Sequence, residues 1–441
     1  MDPAAYQLLL AAIASEDPQQ FEQIPLGGFV RLADPQAAFA YDLVGCDSSQ
    51  LGVPPAPRVD SAEQAGELVE LYWHALLRDV PFADYATDPL VAEACADLSR
   101  LSVFHGPKDQ GRVTPATLFR GGTSGDLRGP YLSQFLWKPV PYVPMLLEQR
   151  MRVAVPGTDY VRSYPEWLAI QNGALSEVNR FDEQHRYLRT GRDLGEFVHR
   201  DFTYQAFLSA CLILLKAGTP VDGGNPFKHS RTQSTFSSFG PPFVLALLAT
   251  ATQLALKACW YQKWVVHRRL RPEELGGRFD RQTRGDLDLT LHGDLTASAV
   301  VDRLRKGNSF LLPQAYPEGC PTHPSYPAGH AAIAGACATV LKAFFDESYV
   351  IPQPVVPSSD GLSLAAWTGE PLTAGNELDK LASNVAIGRD FAGLHWRSDA
   401  AAGIRLGEAV AIDLLRERKV LSNELFTGFS FRSFDGERLT V

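Results

Sequence analysis

The sequence has few cysteines and no excess of positive charge. Its 441 residues include six cysteines, none of which forms a CxxC pair. Because Cys211, Cys259 and Cys337 lie in apolar helical stretches, we expect free buried thiols in a reducing compartment rather than disulfides or a zinc site. The formal net charge of -9 argues against binding to nucleic acid or to an anionic membrane, since both interactions use a basic excess.

Long hydrophobic runs and a secretory leader are also missing. The most apolar stretch, Phe243 to Leu256, is shorter than the about 20 residues that cross a bilayer. The N-terminal stretch MDPAAYQLLLAAIASED has no positively charged start and is typical of a short helix. We therefore expect no membrane span and a cytoplasmic location.

Helix signals recur along the chain, whereas strand signals are confined to short pieces such as the turn at Asp435 and Gly436. Ser61 and the pair Asp88-Pro89 have the residue types that begin helices. Long helices are predicted at 193–217, 242–267, 328–346, 375–391 and 397–417. These patterns predict a single mainly α domain over residues 1–441, with peripheral N-terminal helices over 1–180, a helical core over 185–420 and minor short β-hairpins.

A basic run in KWVVHRRLRPEE is the first candidate for a functional segment. Lys263 and Arg271 are eight positions apart, so on a helix they lie within about 80° of the same face. His267, Arg268 and Arg269 lie between them. The simpler interpretation is a solvated basic helix end, which the helix dipole favours.

The segment HPSYPAGH is the second candidate. Pro327 fits a first helical turn, which leaves the backbone N–H groups of Ala328, Gly329 and His330 without intrahelical partners. Free N–H groups and the helix dipole favour an anion, and a glycine allows an oxyanion to approach the backbone. Simple helix capping is the alternative for this motif, and His323 is equally compatible with an ordinary loop residue.

The segment GRDFAGLHWRSD is the third candidate. Arg389 ends one predicted helix, and His395 precedes the next, where Ser398 or Asp399 can act as a cap. Taken alone, an exposed arginine and a histidine satisfied in the core explain this pattern equally well. Taken together, the three segments supply one lysine, two arginines, a helix N-terminus and two histidines, which is the set of groups that a buried tetrahedral oxyanion needs.

The order of these motifs resembles the shared signature of vanadium-dependent haloperoxidases and the type 2 phosphatidic acid phosphatase superfamily. KWVVHRRLRPEELGG, HPSYPAGH and AIGRDFAGLHWRSD are similar to the red-algal and cyanobacterial bromoperoxidases. The seven residues between Lys263 and Arg271, and the position of His323 seven residues before His330, are typical of that branch. The resemblance covers most of the chain from about residue 150 and implies helical bundles of the vanadium haloperoxidase type.

The resemblance also implies a cofactor, a reaction and a role for each motif residue. The cofactor is vanadate, with vanadium in the +5 state, and the reaction partners are hydrogen peroxide, a halide, with bromide foremost, and a small organic acceptor. The implied roles are vanadium binding by His395, binding of vanadate oxygens by Lys263, Arg271, Arg389 and the Gly329 N–H, acid-base catalysis by His330, activation by Lys263, and support by His323.

Ala328 departs from the family pattern, in which serine usually precedes the Gly-His pair. The missing hydroxyl should weaken oxyanion binding by about 1.5 to 3 kcal/mol unless water replaces it. Gln262, next to Lys263, is a candidate neighbour of the halide, although a glutamine facing the surface is the simpler interpretation. The loop from Asp222 to Asn225 is a weaker candidate for a structural cation such as calcium, because it offers a single carboxylate.

Two other functions fit the same motifs. An acid phosphatase of the same superfamily is possible in principle because phosphate and vanadate are tetrahedral analogues, and the same histidine could become phosphorylated. An oxyanion-binding pseudoenzyme would explain Ala328. The Lys263 to Arg271 interval and His323 favour the haloperoxidase, and by analogy with algal relatives we expect a homo-oligomer.

Overall fold

Helices form most of the regular secondary structure. The computed structural model describes residues 2–39, 43–142, 144–231, 233–424 and 426–441. The α-helices are α1 (Pro3–Ser15), α2 (Pro18–Phe21), α3 (Ala62–Leu77), α4 (Pro89–Arg100), α5 (Tyr164–Gln171), α6 (Gly191–Arg200), α7 (Gln205–Lys216), α8 (Pro241–Tyr261), α9 (Pro272–Thr283), α10 (Gly293–Thr296), α11 (Ala299–Lys306), α12 (Gly329–Phe344), α13 (Ala374–Phe391) and α14 (Arg397–Leu421). Ser61 and Asp88 cap α3 and α4 as predicted, because their side chains accept hydrogen bonds from the first turns.

The strands within the described residues form antiparallel pairs. They are β1 (Val140–Tyr142) with β2 (Met145–Leu147), β3 (Met151–Ala154) with β4 (Phe181–Arg186), β5 (Val355–Pro357) with β6 (Leu364–Ala366), and β7 (Ser430–Arg432) with β8 (Arg438–Thr440). Asp435 and Gly436 lie in the turn between β7 and β8, where Phe431 pairs with Leu439. The predicted mainly α fold with short hairpins is therefore confirmed.

The central bundle is built from α8, α12, α13 and α14, and glycines let two of these helices pack very closely. A Cβ atom at Gly335 of α12 would lie 2.1 Å from the carbonyl oxygen of Ile404, and a Cβ at Gly407 of α14 would lie 1.9 Å from that of Ala332. Neither position can hold a larger residue without moving a helix. The close packing brings the starts of α12 and α14 together, and there the Ala328 N–H donates to the Asp399 carbonyl at 3.0 Å.

Helix α3 belongs to the main core. Leu68, Val69, Tyr72 and Trp73 are completely buried in the same cluster as the central bundle. Helix α1, in contrast, packs in a smaller cluster that includes Trp264. Helix α3 lies against α4, α10 and α13, so residues 62–77 contribute to the main core although the sequence places them among the N-terminal helices. The division of the chain near residue 180 stays a prediction.

Two predicted long helices are not single continuous α-helices, and both interruptions lie near candidate site residues. The stretch predicted as one helix over 193–217 is divided into α6 and α7, because Asp201 has extended backbone angles. Helix α8 continues beyond Tyr261 as a π-helix, Gln262–His267, which ends at Arg268 in a left-handed conformation. Such π-segments are rare and often occur at functional sites.

The described residues include one helical segment, Pro241–Thr283, that is long and apolar enough to cross a membrane by length and composition. The protein buries 50% of its most apolar window. Its first part, α8, packs against α12 and α14. The absence of a membrane span stays a prediction from the sequence.

The six cysteines, all within the described part of the chain, are free thiols, as predicted. Cys320 is partly exposed, and the other five are buried. Burial raises the pKa of Cys211 and Cys337 to about 12, so these thiols remain protonated and unreactive at neutral pH.

Candidate active site

Lys263 is a completely buried lysine on the π-helix. Its Nζ donates hydrogen bonds to the carbonyl oxygens of Pro324, at 2.8 Å, and Ser325, at 2.7 Å. Neither of these partners carries a charge, and burial lowers the pKa of Lys263 to about 7. A buried anion next to the amine would favour its charged form and raise that pKa again.

Arg271 joins the three segments that the sequence singled out. It is buried and immediately precedes α9. Its Nη1 donates to the Leu394 carbonyl at 2.8 Å and lies 3.0 Å from Nε2 of His395, while its Nη2 lies 2.9 Å from Nδ1 of His323. One guanidinium therefore contacts both the loop before α12 and the loop before α14.

His395 is buried between Arg271 and Asp399. Its Nδ1 lies 2.8 Å from Oδ2 of Asp399, and its Nε2 faces the guanidinium. Arginine has no acceptor, so Nε2 must be the unprotonated nitrogen and Nδ1 must carry the proton. Burial, and then the charge of Arg271, lowers the pKa of His395 well below its usual value, so the ring is neutral at pH 7. A neutral imidazole with a free Nε2 lone pair is a metal ligand.

Asp399 both orients His395 and contributes to the start of α14. Its Oδ1 accepts from Arg269 at 2.7 Å, and its Oδ2 accepts from His395, from the Ser325 hydroxyl and from the Trp396 N–H. Although burial acts to raise it, the Arg269 guanidinium and the bond from His395 hold the pKa of Asp399 well below its usual range. The two alternatives that the sequence left open for this residue, orientation and capping, are both present.

The N-terminus of α12 carries His330 and has no side-chain cap. Ala328 is the N-cap residue, and Gly329 is the first helical residue. A Cβ at Gly329 would lie 3.2 Å from the ring of Trp260, so this position is too crowded for an ordinary side chain without adjustment. Nε2 of His330 lies 3.1 Å from Oδ1 of Asp201. The helix start therefore carries a histidine held by a carboxylate, and of its N–H groups that of Ala328 is already bonded to the Asp399 carbonyl.

Arg389 is buried on α13, and its guanidinium has spare hydrogen-bonding capacity. Its Nη1 donates to the Val198 carbonyl at 2.8 Å, and its charged group lies 5.6 Å from the centre of the Tyr316 ring. Its buried Nε has no partner among the described residues. Because buried N–H groups are nearly always paired, a donor of this kind fits a site that takes an oxyanion.

His323 and Gln262 are also near the cationic groups, but in different ways. The ring of His323 contacts Arg271 and lies 4.8 Å from that of Trp260, and burial, followed by the charge of Arg271, lowers its pKa well below the usual value. Gln262 is buried, and its side chain donates to the Leu51 carbonyl at 2.9 Å. The interpretation of Gln262 as a surface residue is therefore wrong. Its place beside a halide stays a prediction.

The carboxylate of Asp222 already has protein partners. It accepts from the Gly224 N–H at 2.8 Å and lies 3.3 Å from the Arg438 guanidinium. Within the described ranges, no group of three or more His, Cys, Asp or Glu side chains that could hold a metal ion is found. A structural cation at this loop stays a prediction without support from these contacts.

Comparisons with known proteins identify the family. A family model described as the VCPO second helical-bundle domain matches residues 243–423. A vanadium-dependent bromoperoxidase of Ascophyllum nodosum is 37% identical over 466 residues, which cover 99% of this chain and 83% of that protein. Another, of Corallina pilulifera, is 37% identical over 473 residues, with coverage of 92% and 78%.

The chain belongs to the vanadium-dependent bromoperoxidase family. The structure of the second vanadate-dependent bromoperoxidase of Ascophyllum nodosum, described as homohexameric, superimposes with a TM-score of 0.93 at 30% identity and covers 99% of this chain and 81% of that one. The family and the helical-bundle fold implied by the motifs are therefore confirmed. The acid phosphatase alternative is not favoured, because the relatives are named bromoperoxidases.

Several polar residues around the site of this bromoperoxidase family member were not identified from the sequence. Asp201 lay inside a predicted helix, and Ser325 lay between two prolines of a loop. Arg269 was one of several cations in the basic run. The sequence carries no local signal for these roles, since each depends on a contact with a distant segment.

Proposed function

We propose that this protein is a vanadate-dependent haloperoxidase. It uses hydrogen peroxide to oxidise a halide, with bromide foremost, to a hypohalous acid equivalent that halogenates small organic acceptors. Relatives that are 37% identical over nearly the full chain support the activity. The structural observation that carries the proposal is His395, whose unprotonated Nε2 faces Arg271 and whose Nδ1–H donates to the Asp399 carboxylate that fixes its tautomer.

The donor set fits vanadate. In the proposal, Nε2 of His395 would bind the vanadium, and Lys263, Arg271, Arg389 and the Gly329 N–H would bind its oxygens. Arg271 must then exchange its bond to Nε2 for one to an oxygen, because one lone pair cannot serve both. The orphaned Nε of Arg389 and the uncapped start of α12 supply further donors. Vanadate, when bound, supplies the Lewis-acidic centre at which hydrogen peroxide becomes reactive toward halide.

Protons are handled by His330 in this proposal. The Asp201 carboxylate accepts a hydrogen bond from the protonated Nε2 of His330. This tautomer leaves Nδ1 as the basic nitrogen that takes a proton from hydrogen peroxide. Lys263 contributes positive charge. Its amine is held in a buried position by two carbonyl groups, and in the charged form it stabilises negative charge that develops on a nearby oxygen.

Self-association is part of the same proposal, because the superimposable relative is described as homohexameric. The free thiols are compatible with the cytoplasmic location expected from the sequence. Calcium at the loop from Asp222 to Asn225 is a separate expectation, on which the activity does not depend.

The decisive experiment is an assay of the purified protein with and without added orthovanadate. Bromination of a β-diketone acceptor should require orthovanadate, hydrogen peroxide and bromide together. Hydrolysis of a phosphate ester by the vanadate-free protein is measured in parallel. Ester hydrolysis without bromination would overturn the proposal in favour of a phosphatase. Vanadate binding without either reaction would overturn it in favour of a binding protein.

A further inference from the structure

We infer that Arg269 is a positioning residue, which controls the orientation and the tautomer of His395 through Asp399. The inference rests on the proposed function, because it concerns the nitrogen that is to bind vanadium. Arg269 lies in the same basic run as Lys263 and Arg271. Only 7% of its side chain is exposed, so it is not part of a solvated helix end.

The guanidinium of Arg269 connects two distant parts of the chain. Its Nη1 donates to Oδ1 of Asp399 and to Oγ of Ser398, both at 2.7 Å, at the start of α14. Its Nη2 donates to Oε2 of Glu67 and to Oε1 of Gln64, both at 2.8 Å, on α3. Four directed bonds in one plane leave the group a single orientation.

Aromatic rings and a second carboxylate hold the same guanidinium in place. Its central carbon lies 5.0 Å from the ring centre of Trp396 and 5.7 Å from that of Tyr326. Glu67 also accepts from the Ser398 N–H at 2.6 Å, so α3 and α14 are tied together on both sides of Arg269. The arrangement is rigid because packing and hydrogen bonds restrict the same group.

The two oxygens of Asp399 have separate tasks as a result. Arg269 occupies Oδ1, and the planar carboxylate then directs Oδ2 toward His395. The Ser325 hydroxyl and the Trp396 N–H also donate to Oδ2, so this oxygen acts as an acceptor. An acceptor at that place selects the His395 tautomer with the proton on Nδ1, which leaves Nε2 free for vanadium.

The test variant is Arg269→Lys, which retains the positive charge but cannot make the four hydrogen bonds of the planar guanidinium. The matched control is Arg268→Lys, one position earlier, where the native guanidinium donates to the carbonyl groups of Trp264 and Val265. Orthovanadate affinity of the full-length protein is measured by calorimetry. The ¹⁵N signals of His395, assigned with His395→Gln, report its tautomer before vanadate is added.

We expect Arg269→Lys to weaken orthovanadate binding by about 10- to 100-fold, as loss of an outer partner of a metal ligand does, and to alter the Nδ1–H signal of His395. Arg268→Lys should leave both quantities unchanged. Wild-type affinity together with a wild-type His395 spectrum in Arg269→Lys would overturn the inference. Failure of the wild-type protein to bind orthovanadate would instead overturn the proposed function.

If Arg269→Lys does not fold, Ser398→Ala tests whether Arg269 positions His395. It removes one neutral acceptor from Nη1 of Arg269 and leaves every charge in place. We expect orthovanadate binding to weaken by about 2- to 10-fold, which corresponds to one ordinary hydrogen bond. Unchanged affinity and an unchanged His395 spectrum in a folded Ser398→Ala protein would also overturn the inference.

Discussion

The surroundings of His395 and His330 differ sharply, although both residues lie at the starts of helices that pack against each other. The side chain of His395 is 3% exposed, whereas that of His330 is 28% exposed. His395 has Arg271 on one nitrogen and Asp399 on the other. The ring of His330 instead contacts Asp201 through Nε2.

This difference indicates a division of tasks. A metal ligand has to present one nitrogen in one direction, so a buried histidine whose other nitrogen is fixed by a carboxylate suits this task. A group that exchanges protons with a small substrate needs access to it and one uncommitted nitrogen. The structure thus supports the different roles that the family resemblance implies for the two histidines.

Replacement of the buried histidine should have the largest effect. His395→Gln keeps hydrogen-bonding groups of similar size but has no imidazole. Loss of a residue that only orients a metal ligand weakens metal binding by about 10- to 100-fold. We expect loss of the ligand itself to weaken orthovanadate binding by more than this and to abolish bromination. Calorimetry checks the affinity, and circular dichroism checks the fold. Near-native affinity in a folded variant would remove His395 from the role of ligand.

Replacement of the more exposed histidine should affect turnover rather than binding. We expect His330→Ala to lower kcat for bromination by about 100- to 10,000-fold, because a positioned acid-base group is removed. Its orthovanadate affinity should stay close to that of the wild type. Asp201→Asn, which keeps an acceptor for His330, should cause a smaller loss. The division of tasks would be contradicted if His330→Ala weakened orthovanadate binding but kept the native kcat for each vanadate-loaded site.

A serine at position 328 tests the helix start next to His330. If its hydroxyl reaches the oxyanion, Ala328→Ser should tighten orthovanadate binding by about 10- to 100-fold, which corresponds to about 1.5 to 3 kcal/mol. The structure adds a second outcome, because Ala328 is the N-cap residue of α12. A capping serine would stabilise the vanadate-free protein by about 1 kcal/mol. Higher thermal stability with unchanged affinity and turnover would show that the missing hydroxyl does not act on the anion.

The pH dependence of stability reports the burial of His395. Because burial, and then Arg271, lowers its pKa well below 6.5, the unfolded chain takes up a proton below pH 6.5 that the folded protein does not. The stabilisation is therefore complete above pH 6.5 and is lost as the pH falls toward the folded pKa. We expect the free energy of unfolding to fall more steeply in the wild type than in His395→Gln, by up to about 1.4 kcal/mol per pH unit.

Urea unfolding of the vanadate-free proteins between about pH 7.5 and about pH 5.5, roughly one unit either side of the pKa of a free histidine, checks this slope. The other histidines are present in both proteins, so their contributions cancel in the difference. If the free energy of unfolding fell equally with pH in the wild type and in His395→Gln, His395 would be solvated enough to titrate normally. The contrast in burial between His395 and His330 would then be weaker.

Local sequence signals were sufficient wherever a residue's role depends on its neighbours in the chain. Asp88 indicated the start of α4, and Gly329 lies at the start of α12, although Pro327 precedes the N-cap Ala328 instead of lying in the first turn as predicted. The end of α6 was missed because Asp201 is compatible with a helix end and a helix interior alike. Its extended backbone coincides with a hydrogen bond to His330, which is 129 residues away.

The sequence by itself determined the family, the mainly helical fold and the identity of the residues offered to an oxyanion. These features follow from motif order, residue type and helix periodicity, which are local properties. Only the tertiary structure decided that Arg269 is buried between Glu67 and Asp399, that Nε2 of His395 is the unprotonated nitrogen, and that Gln262 faces inward. The physical reason is that burial and hydrogen-bond direction depend on segments far apart in the chain, which approach one another when glycines let α12 and α14 pack closely.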